Sequence, residues 1–181
     1  SDGVYYYNAT AADYAGNVNT TLLRTITLDT VGPTSIAFVS PTDNDGANAS
    51  RSFVLINVTA TDSAAVQAIV IRLYNSTRVQ INSTQNTSSP HSVNYSSLAE
   101  GVYYFNATVN DSVGTKNETA TRTVTLDTTM PNVTYKGSTE TDGATIAVNS
   151  FSVNVSASDT LSGVVNVTLV LYNATRVEIN R

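Results

Sequence analysis

The feature that most limits what this chain can fold into is an internal repeat. Asp2-Gly-Val-Tyr-Tyr-Tyr-Asn-Ala-Thr10 recurs as Glu100-Gly-Val-Tyr-Tyr-Phe-Asn-Ala-Thr108, and Arg24-Thr-Ile-Thr-Leu-Asp-Thr30 recurs as Arg122-Thr-Val-Thr-Leu-Asp-Thr128. Leu73-Tyr-Asn-Ser-Thr-Arg-Val-Gln-Ile-Asn82 recurs as Leu171-Tyr-Asn-Ala-Thr-Arg-Val-Glu-Ile-Asn180. The offset is 98 residues in each case (2 to 100, 24 to 122, 73 to 171), slipping to 97 between Phe53 and Asp62 before recovering at Leu73. One residue lost and one regained is what variation in a loop or bulge produces. A unit of this length matches the ~100 residues of an immunoglobulin-type sandwich, whereas a β-helix repeats at much shorter intervals.

The side-chain pattern inside the repeat has period 2. Tyr5, Tyr7, Ala9 and Ala11 share one face, with Val4, Tyr6, Asn8 and Thr10 on the other; in the second copy Tyr103, Phe105, Ala107 and Val109 point inward. Phe151, Val153, Val155 and Ala157 alternate with serines and Asn154, and Val165, Val167, Leu169 and Leu171 alternate with Asn166, Thr168 and Val170. No stretch sustains a 3.6-residue apolar period. Turn residues punctuate the chain at Gly16-Asn17, Asp43-Asn-Asp-Gly46, Asp142-Gly143 and Ser162-Gly163. The expected fold class is all-β, as tandem immunoglobulin-like or fibronectin-III-like β-sandwich repeats.

Leu-Asp-Thr precedes Pro33 and Pro131, and a proline that stops ladder pairing suits a stiff link. Junctions there divide the chain into residues 1–30, the C-terminal strands of one repeat, residues 31–128, a complete repeat, and residues 129–181, the N-terminal strands of another. Seven strands are expected in the complete repeat, near 34–40, 52–61, 67–75, 78–83, 91–96, 101–110 and 119–127. The chain opens without Met or signal peptide, so it reads as a window on a longer precursor.

Composition narrows the function. A net charge of −5 with only two lysines, Lys116 and Lys136, offers no basic patch, which argues against nucleic acid as a partner. No apolar run reaches the roughly 20 residues of a membrane span. Cysteine is absent, which removes disulfides and thiolate chemistry and points to a prokaryotic or archaeal surface, since most small secreted animal domains of this class use disulfides. No phosphate-binding glycine loop, catalytic triad or HExxH pattern is present, and no enzyme is expected. His91, the single histidine, stands beside Pro90 in a polar stretch and is expected to be exposed.

The asparagines carry the strongest chemical signal. Of 19, 15 lie in Asn-x-Ser/Thr with x not Pro: Asn8, Asn19, Asn48, Asn57, Asn75, Asn82, Asn86, Asn94, Asn106, Asn110, Asn117, Asn132, Asn154, Asn166 and Asn173. This tripeptide is the acceptor for N-linked glycan. Strand alternation alone would place a hydroxyl two residues before Asn as often as two residues after it. The reversed arrangement occurs six times, at Asn44, Asn86, Asn94, Asn110, Asn117 and Asn154. With 48 Ser and Thr in 181 residues, chance gives about 5 of 19 in either direction (19 × 48/181), so only the forward count is in excess. A directional excess needs a directional reader, and oligosaccharyltransferase is one. In a strand such as Asn57-Val-Thr or Asn106-Ala-Thr, the amide and the hydroxyl share the outer face while the middle residue faces the core.

Aspartates offer the one plausible metal ligands. Asp13, Asp29, Asp43, Asp45, Asp62, Asp111, Asp127, Asp142 and Asp159 fall mostly at strand ends and turns. Ca²⁺ takes six to eight oxygens, and Asp29 and Asp127, next to the junctions, are the candidates for stiffening a hinge. The competing reading is that these side chains cap turns. Tyr5, Tyr7 and Tyr103 read as core, and Tyr6 and Tyr104 as exposed.

Gly3-Val-Tyr5, Asp13-Tyr-Ala-Gly-Asn17 and Thr25-Ile-Thr-Leu-Asp-Thr30 with Pro33 resemble the prokaryotic immunoglobulin-like repeats of large surface proteins and adhesins. The second copy keeps Gly101-Val-Tyr103, Asp111 and Leu126-Asp-Thr-Thr-Met-Pro131 and departs at Asp111-Ser-Val-Gly-Thr115. The resemblance implies stalks, surface layers, adhesive fibres or extracellular filaments, and some relatives bind Ca²⁺ at junctions through such aspartates. Dense acceptor tripeptides without cysteine look archaeal. The expectation is therefore an extracellular, cell-surface, heavily N-glycosylated structural segment of a filament, stalk or surface layer. The alternative is an adhesin repeat for cell–cell or cell–surface binding. The partner is expected to be copies of itself in a polymer; residues 1–30 and 129–181 either complete one another by strand donation between molecules or are simply the two ends of this window.

Overall fold

A computed structural model describes residues 1–180; the last residue of the 129–181 stretch lies outside them. The chain is all-β, and no helix among the described residues is long and apolar enough to cross a membrane. Residues 3–28 form strands β1 (Gly3–Tyr7), β2 (Thr10–Ala12), β3 (Val18–Thr20) and β4 (Arg24–Leu28). The central stretch forms β5 (Thr34–Phe38), β6 (Ala47–Ala49), β7 (Val54–Thr61), β8 (Val66–Tyr74), β9 (Gln80–Asn86), β10 (His91–Tyr95), β11 (Gly101–Asp111), β12 (Lys116–Glu118) and β13 (Arg122–Leu126). After it come β14 (Asn132–Tyr135), β15 (Val155–Ser158), β16 (Leu171–Tyr172) and β17 (Glu178–Asn180).

The central stretch is a two-sheet sandwich. One sheet has the order β10-β7-β5, the other β6-β13-β11-β8-β9 with β12 also on β11; every pairing is antiparallel except β6 with β13. Period-2 patterning explains the layers. Val54, Ile56, Val58 and Ala60 of β7 face Ile69, Ile71 and Leu73 of β8, Tyr103, Phe105, Ala107 and Val109 of β11, and Val124 and Leu126 of β13 in one buried cluster. Phe38 meets Phe105 edge to face, with ring centroids 5.3 Å apart at 80°. The Tyr103 hydroxyl donates to the Ala99 carbonyl at 2.9 Å, tying the start of β11 to the loop before it. Gly101 opens that strand at φ 150°, a backbone conformation that disfavours any side chain.

Each of the seven expected strands has a counterpart, with ends shifted by a few residues. The expectation missed β6, a three-residue edge too short to show a period. It also missed β12, another three-residue strand, and began β13 too early, at 119. They are separated at Thr119–Thr121, where the Thr119 hydroxyl accepts from the Ala107 amide at 3.0 Å and so replaces a ladder carbonyl.

The flanks share local geometry with the center but not its burial. β1 pairs β4 in the register of β11 with β13: Gly3↔Leu28 and Tyr5↔Ile26 parallel Gly101↔Leu126 and Tyr103↔Val124. The Tyr5 hydroxyl donates to the Ser1 carbonyl at 2.7 Å, as Tyr103 does to Ala99. Yet Tyr5 and Tyr7, expected in a core, are exposed, because the described residues place no second sheet over β1 and β4. Likewise the alternating run Val165–Leu171 forms a strand only at its end, β16, while its counterpart β8 is ordered between β9 and β11.

Candidate functional site

Two sets of side chains carry chemistry: the acceptor asparagines and a carboxylate cluster at the first junction. None of the fifteen acceptors is buried. Asn8, Asn19, Asn48, Asn82, Asn86, Asn94, Asn117, Asn132, Asn154, Asn166 and Asn173 are exposed, and Asn57, Asn75, Asn106 and Asn110 are half-buried. In the sandwich the expected geometry holds: Val58 and Ala107, the middle residues of Asn57-Val-Thr and Asn106-Ala-Thr, are fully buried.

The acceptors differ in how their amide groups are engaged. The Asn57 nitrogen donates to the Ser40 carbonyl at 3.0 Å, and the Asn117 nitrogen to the Pro33 carbonyl at 3.0 Å. Asn106 and Asn110 donate more weakly, to Thr121 and Gln67, each at 3.4 Å. At Asn75 the side-chain oxygen accepts from the amides of Thr77 and Val79 and from the Thr77 hydroxyl at 2.8 Å, and Asn173 repeats this with Thr175 and Val177. That turn leaves Arg78 and Arg176 at φ 61° and 60°. No hydrogen bond among the described residues occupies the side-chain nitrogens of Asn48, Asn82, Asn86 or Asn94, which leaves them free to react.

The junction carboxylates come from three elements. Asp29 follows β4, Asp62 follows β7 and Asp111 ends β11, and one oxygen of each lies within 4.8 Å of the others. Asp111 is fully buried. Burial pushes its carboxyl up, but the Thr115 hydroxyl and the amides of Thr115, Val113 and Gly114 outweigh that and hold it below the ordinary carboxylate range. Its Oδ1 accepts those three amides at 2.9, 2.9 and 2.7 Å. Asp62 Oδ1 accepts from the amides of Ala64 and Ala65 at 2.9 Å, and Asp29 Oδ1 from the Ser63 hydroxyl at 3.2 Å. The second oxygens of Asp29 and Asp62 are buried without a partner. Converging carboxylates with unpaired buried oxygens suit a hard divalent cation, and the donor set is all oxygen, as Ca²⁺ prefers.

Sequence reasoning named Asp29 and Asp127 for this role. The structure joins Asp29 to Asp62 and Asp111 and keeps Asp127 apart. Asp127 accepts from the Ser162 amide at 2.9 Å and the Thr129 amide at 3.0 Å, and belongs to no three-carboxylate group among the described residues. Hydrogen bonding from Ser162 dominates in holding its carboxyl down. Asp62 and Asp111 were visible only as turn aspartates, because their sequence separation hides a shared pole of the sandwich.

His91 is buried, not exposed as its polar surroundings suggested. Alternation on β10 turns it inward with Tyr95, and its Nε2 lies 3.1 Å from the Thr84 hydroxyl. Burial lowers its pKa. Tyr104, expected to be exposed, is half-covered by the Arg78 guanidinium, 4.1 Å from its ring centroid.

No family model matches the chain, and no curated protein matches it. Among solved structures, dimeric latent PorU from Porphyromonas gingivalis is similar over 70% of this chain at 15% identity, with a TM-score of 0.41. The chain spans 12% of the length of that protein. The sandwich assignment rests on the strand pairing above.

Proposed function

We propose that this chain is a non-enzymatic, N-glycosylated structural segment of an extracellular filament, stalk or surface layer, built from immunoglobulin-like repeats of about 98 residues. One observation carries the reading: the directional excess of Asn-x-Ser/Thr, 15 forward against six reversed. The exposure of the acceptors supports it, since a glycan needs a solvent-facing amide. So does their distribution over both sheets, on β7, β10, β11 and the loops, which suits a coat more than a bare adhesive patch. Sugar on those faces hydrates the surface and hinders edge-to-edge association.

Glycopeptide mapping of protein from its native cells tests this. Occupancy is expected to be highest at Asn48, Asn82, Asn86 and Asn94, and lower at Asn57 and Asn117, whose amides must first give up a backbone hydrogen bond. Native protein without sugar on any of the fifteen sites would sink the reading. Within it, the Asp29–Asp62–Asp111 cluster acts as a Ca²⁺ clamp that stiffens the first junction, on the strength of the two unpartnered oxygens. Calcium titration followed by isothermal calorimetry, with Asp62→Asn as control, checks that role; no heat in the wild type would remove it.

A further inference from the structure

The two sheets of the central sandwich end in four edge strands, β10, β5, β6 and β9. An edge presents open backbone donors and acceptors, and it pairs with any strand that reaches it unless something blocks the approach. Three of the four carry a recognisable block. β5 follows Pro33, precedes Pro41 and slips register between Thr34 and Ala37. β6 is three residues long, and β10 is five residues long and starts directly after Pro90. β12, the short strand added to β11, displays Lys116 and Glu118.

β9 has none of these. Its seven residues, Gln-Ile-Asn-Ser-Thr-Gln-Asn, include no charge, proline or glycine, and they hold a regular register against β8 from Asn82 to Asn86. No second strand among the described residues pairs with it. The gap in charge is wider than the strand. From Val79 to Ala99 the chain contains no Asp, Glu, Lys or Arg, although such residues make up 13% of it. Neutral segments of this length, without proline and rich in Asn and Gln, are the kind that stack on copies of themselves.

What β9 carries instead is two acceptors. Asn82 and Asn86 are both exposed, and their side-chain nitrogens are unengaged. The four acceptors with free nitrogens, Asn48, Asn82, Asn86 and Asn94, all lie on the edge strands β6, β9 and β10. Asn57, Asn106 and Asn110, whose nitrogens are bonded, lie on the interior strands β7 and β11. On β9, Asn82 and Asn86 flank Thr84 on the same strand face. Thr84 is where the two sheets meet on this side, 3.1 Å from His91 Nε2 and 3.3 Å from the Tyr95 hydroxyl of β10.

We propose that the glycans on Asn82 and Asn86 are the block on the β9 edge, and that without them β9 pairs antiparallel with β9 of a second copy. The inference rests on the glycan reading above and gives two of its sites a task. β9 belongs to the two-sheet sandwich itself, so the open edge is a property of that unit. A second copy is the occupant because a two-fold pair sets the strand against itself. A charged edge would then oppose like charges, whereas between Asn82 and Asn86 this one opposes only amides and hydroxyls, which bond to one another.

The test compares chains made in the native cells. Asn82→Gln with Asn86→Gln removes two sugars from the edge, and Asn106→Gln removes one from an interior strand; glycopeptide mapping verifies what each chain carries, and an unchanged thermal melt verifies folding. In sedimentation velocity at rising concentration, the Asn82→Gln/Asn86→Gln chain is expected to associate about tenfold more tightly than wild type, and Asn106→Gln no more tightly. Hydrogen exchange is expected to slow at the amides of residues 82–86 in the associated form. Adding Ser83→Lys and Gln85→Lys, at exposed positions on the other face of β9, is expected to return association to the wild-type level, because charge then lines the edge in both copies. Association equal to wild type in the double variant, equal gain in Asn106→Gln, slowed exchange away from β9, or association that survives the two lysines would overturn the proposal. Each of those results leaves sugar on the other acceptors, and so leaves the glycan reading standing. Native protein without sugar at all fifteen sites fails both, and the mapping alone reports it.

Discussion

The first flank and the last strands of the central sandwich carry nearly the same sequence and the same hydrogen bonds, yet one is exposed and the other is core. Ala9 and Ala107 each take a side-chain acceptor from a threonine, Thr21 and Thr119, at 2.9 and 3.0 Å. Asp2 and Glu100 each hold a threonine after the strand pair, Thr30 and Thr128, and these hydroxyl and amide bonds keep both carboxyls below their ordinary range, that of the Thr30 amide foremost for Asp2 and that of the Thr128 hydroxyl for Glu100. Local sequence therefore specifies hairpin register and turn chemistry in both places. Burial needs a second sheet, and among the described residues only the center has one. The difference separates what a strand pair does alone from what it does in a sandwich.

The largest effect that can break this comparison is a matched pair of truncations. Phe105→Ala is expected to cost about 3–5 kcal/mol in urea unfolding, because it empties a fully buried site. Tyr7→Ala, at the matching position, is expected to change monomer stability by under about 0.5 kcal/mol, as exposed substitutions do. Equal costs would mean that the flank has a core of its own. Calcium comes next. At a free concentration of 100 times its Kd, a ligand of the folded state adds about 2.7 kcal/mol. The expected result is a rise in Tm with Ca²⁺, reversed by chelator and absent in Asp62→Asn.

A smaller effect separates the two tyrosine corners. Tyr103→Phe removes a hydroxyl from a nearly buried bond and is expected to cost about 1 kcal/mol. Tyr5→Phe, in the same bond at an exposed site, is expected to be neutral; a cost equal to that of Tyr103→Phe would remove the contrast. The smallest effect belongs to His91. Its folded pKa lies below the ordinary 6.5, so the unfolded chain binds the extra proton. Stability is then fully present above pH 6.5 and declines as pH falls below it. His91→Gln is expected to flatten that decline while leaving the carboxylate loss below about pH 3.8, where Asp111 of the unfolded chain takes up a proton that the folded protein, with its lowered pKa, does not yet bind.

Much of the architecture was legible in the residues. The alternation in β7, β8 and β11 and the Asp-Gly and Gly-Asn turns are local or periodic signals, and the strands and turns they mark formed. The acceptor tripeptides were legible for the same reason, since three consecutive residues define them. The misses share a different cause. β6 owes its existence to β13, a parallel neighbor far along the chain. His91 was misplaced because its neighbors in sequence are polar while its neighbors in space are Thr84 and the core.

By itself the sequence determined most of the central strands and the position of each Asn-x-Ser/Thr tripeptide, because each depends on residues a few positions apart. Tertiary structure alone decided that Asp29, Asp62 and Asp111 converge, that His91 is buried, and that nearly identical strand pairs are core in one place and exposed in another. Those outcomes depend on which sheets meet across the core, and proximity of that kind is set by packing between elements distant in the chain.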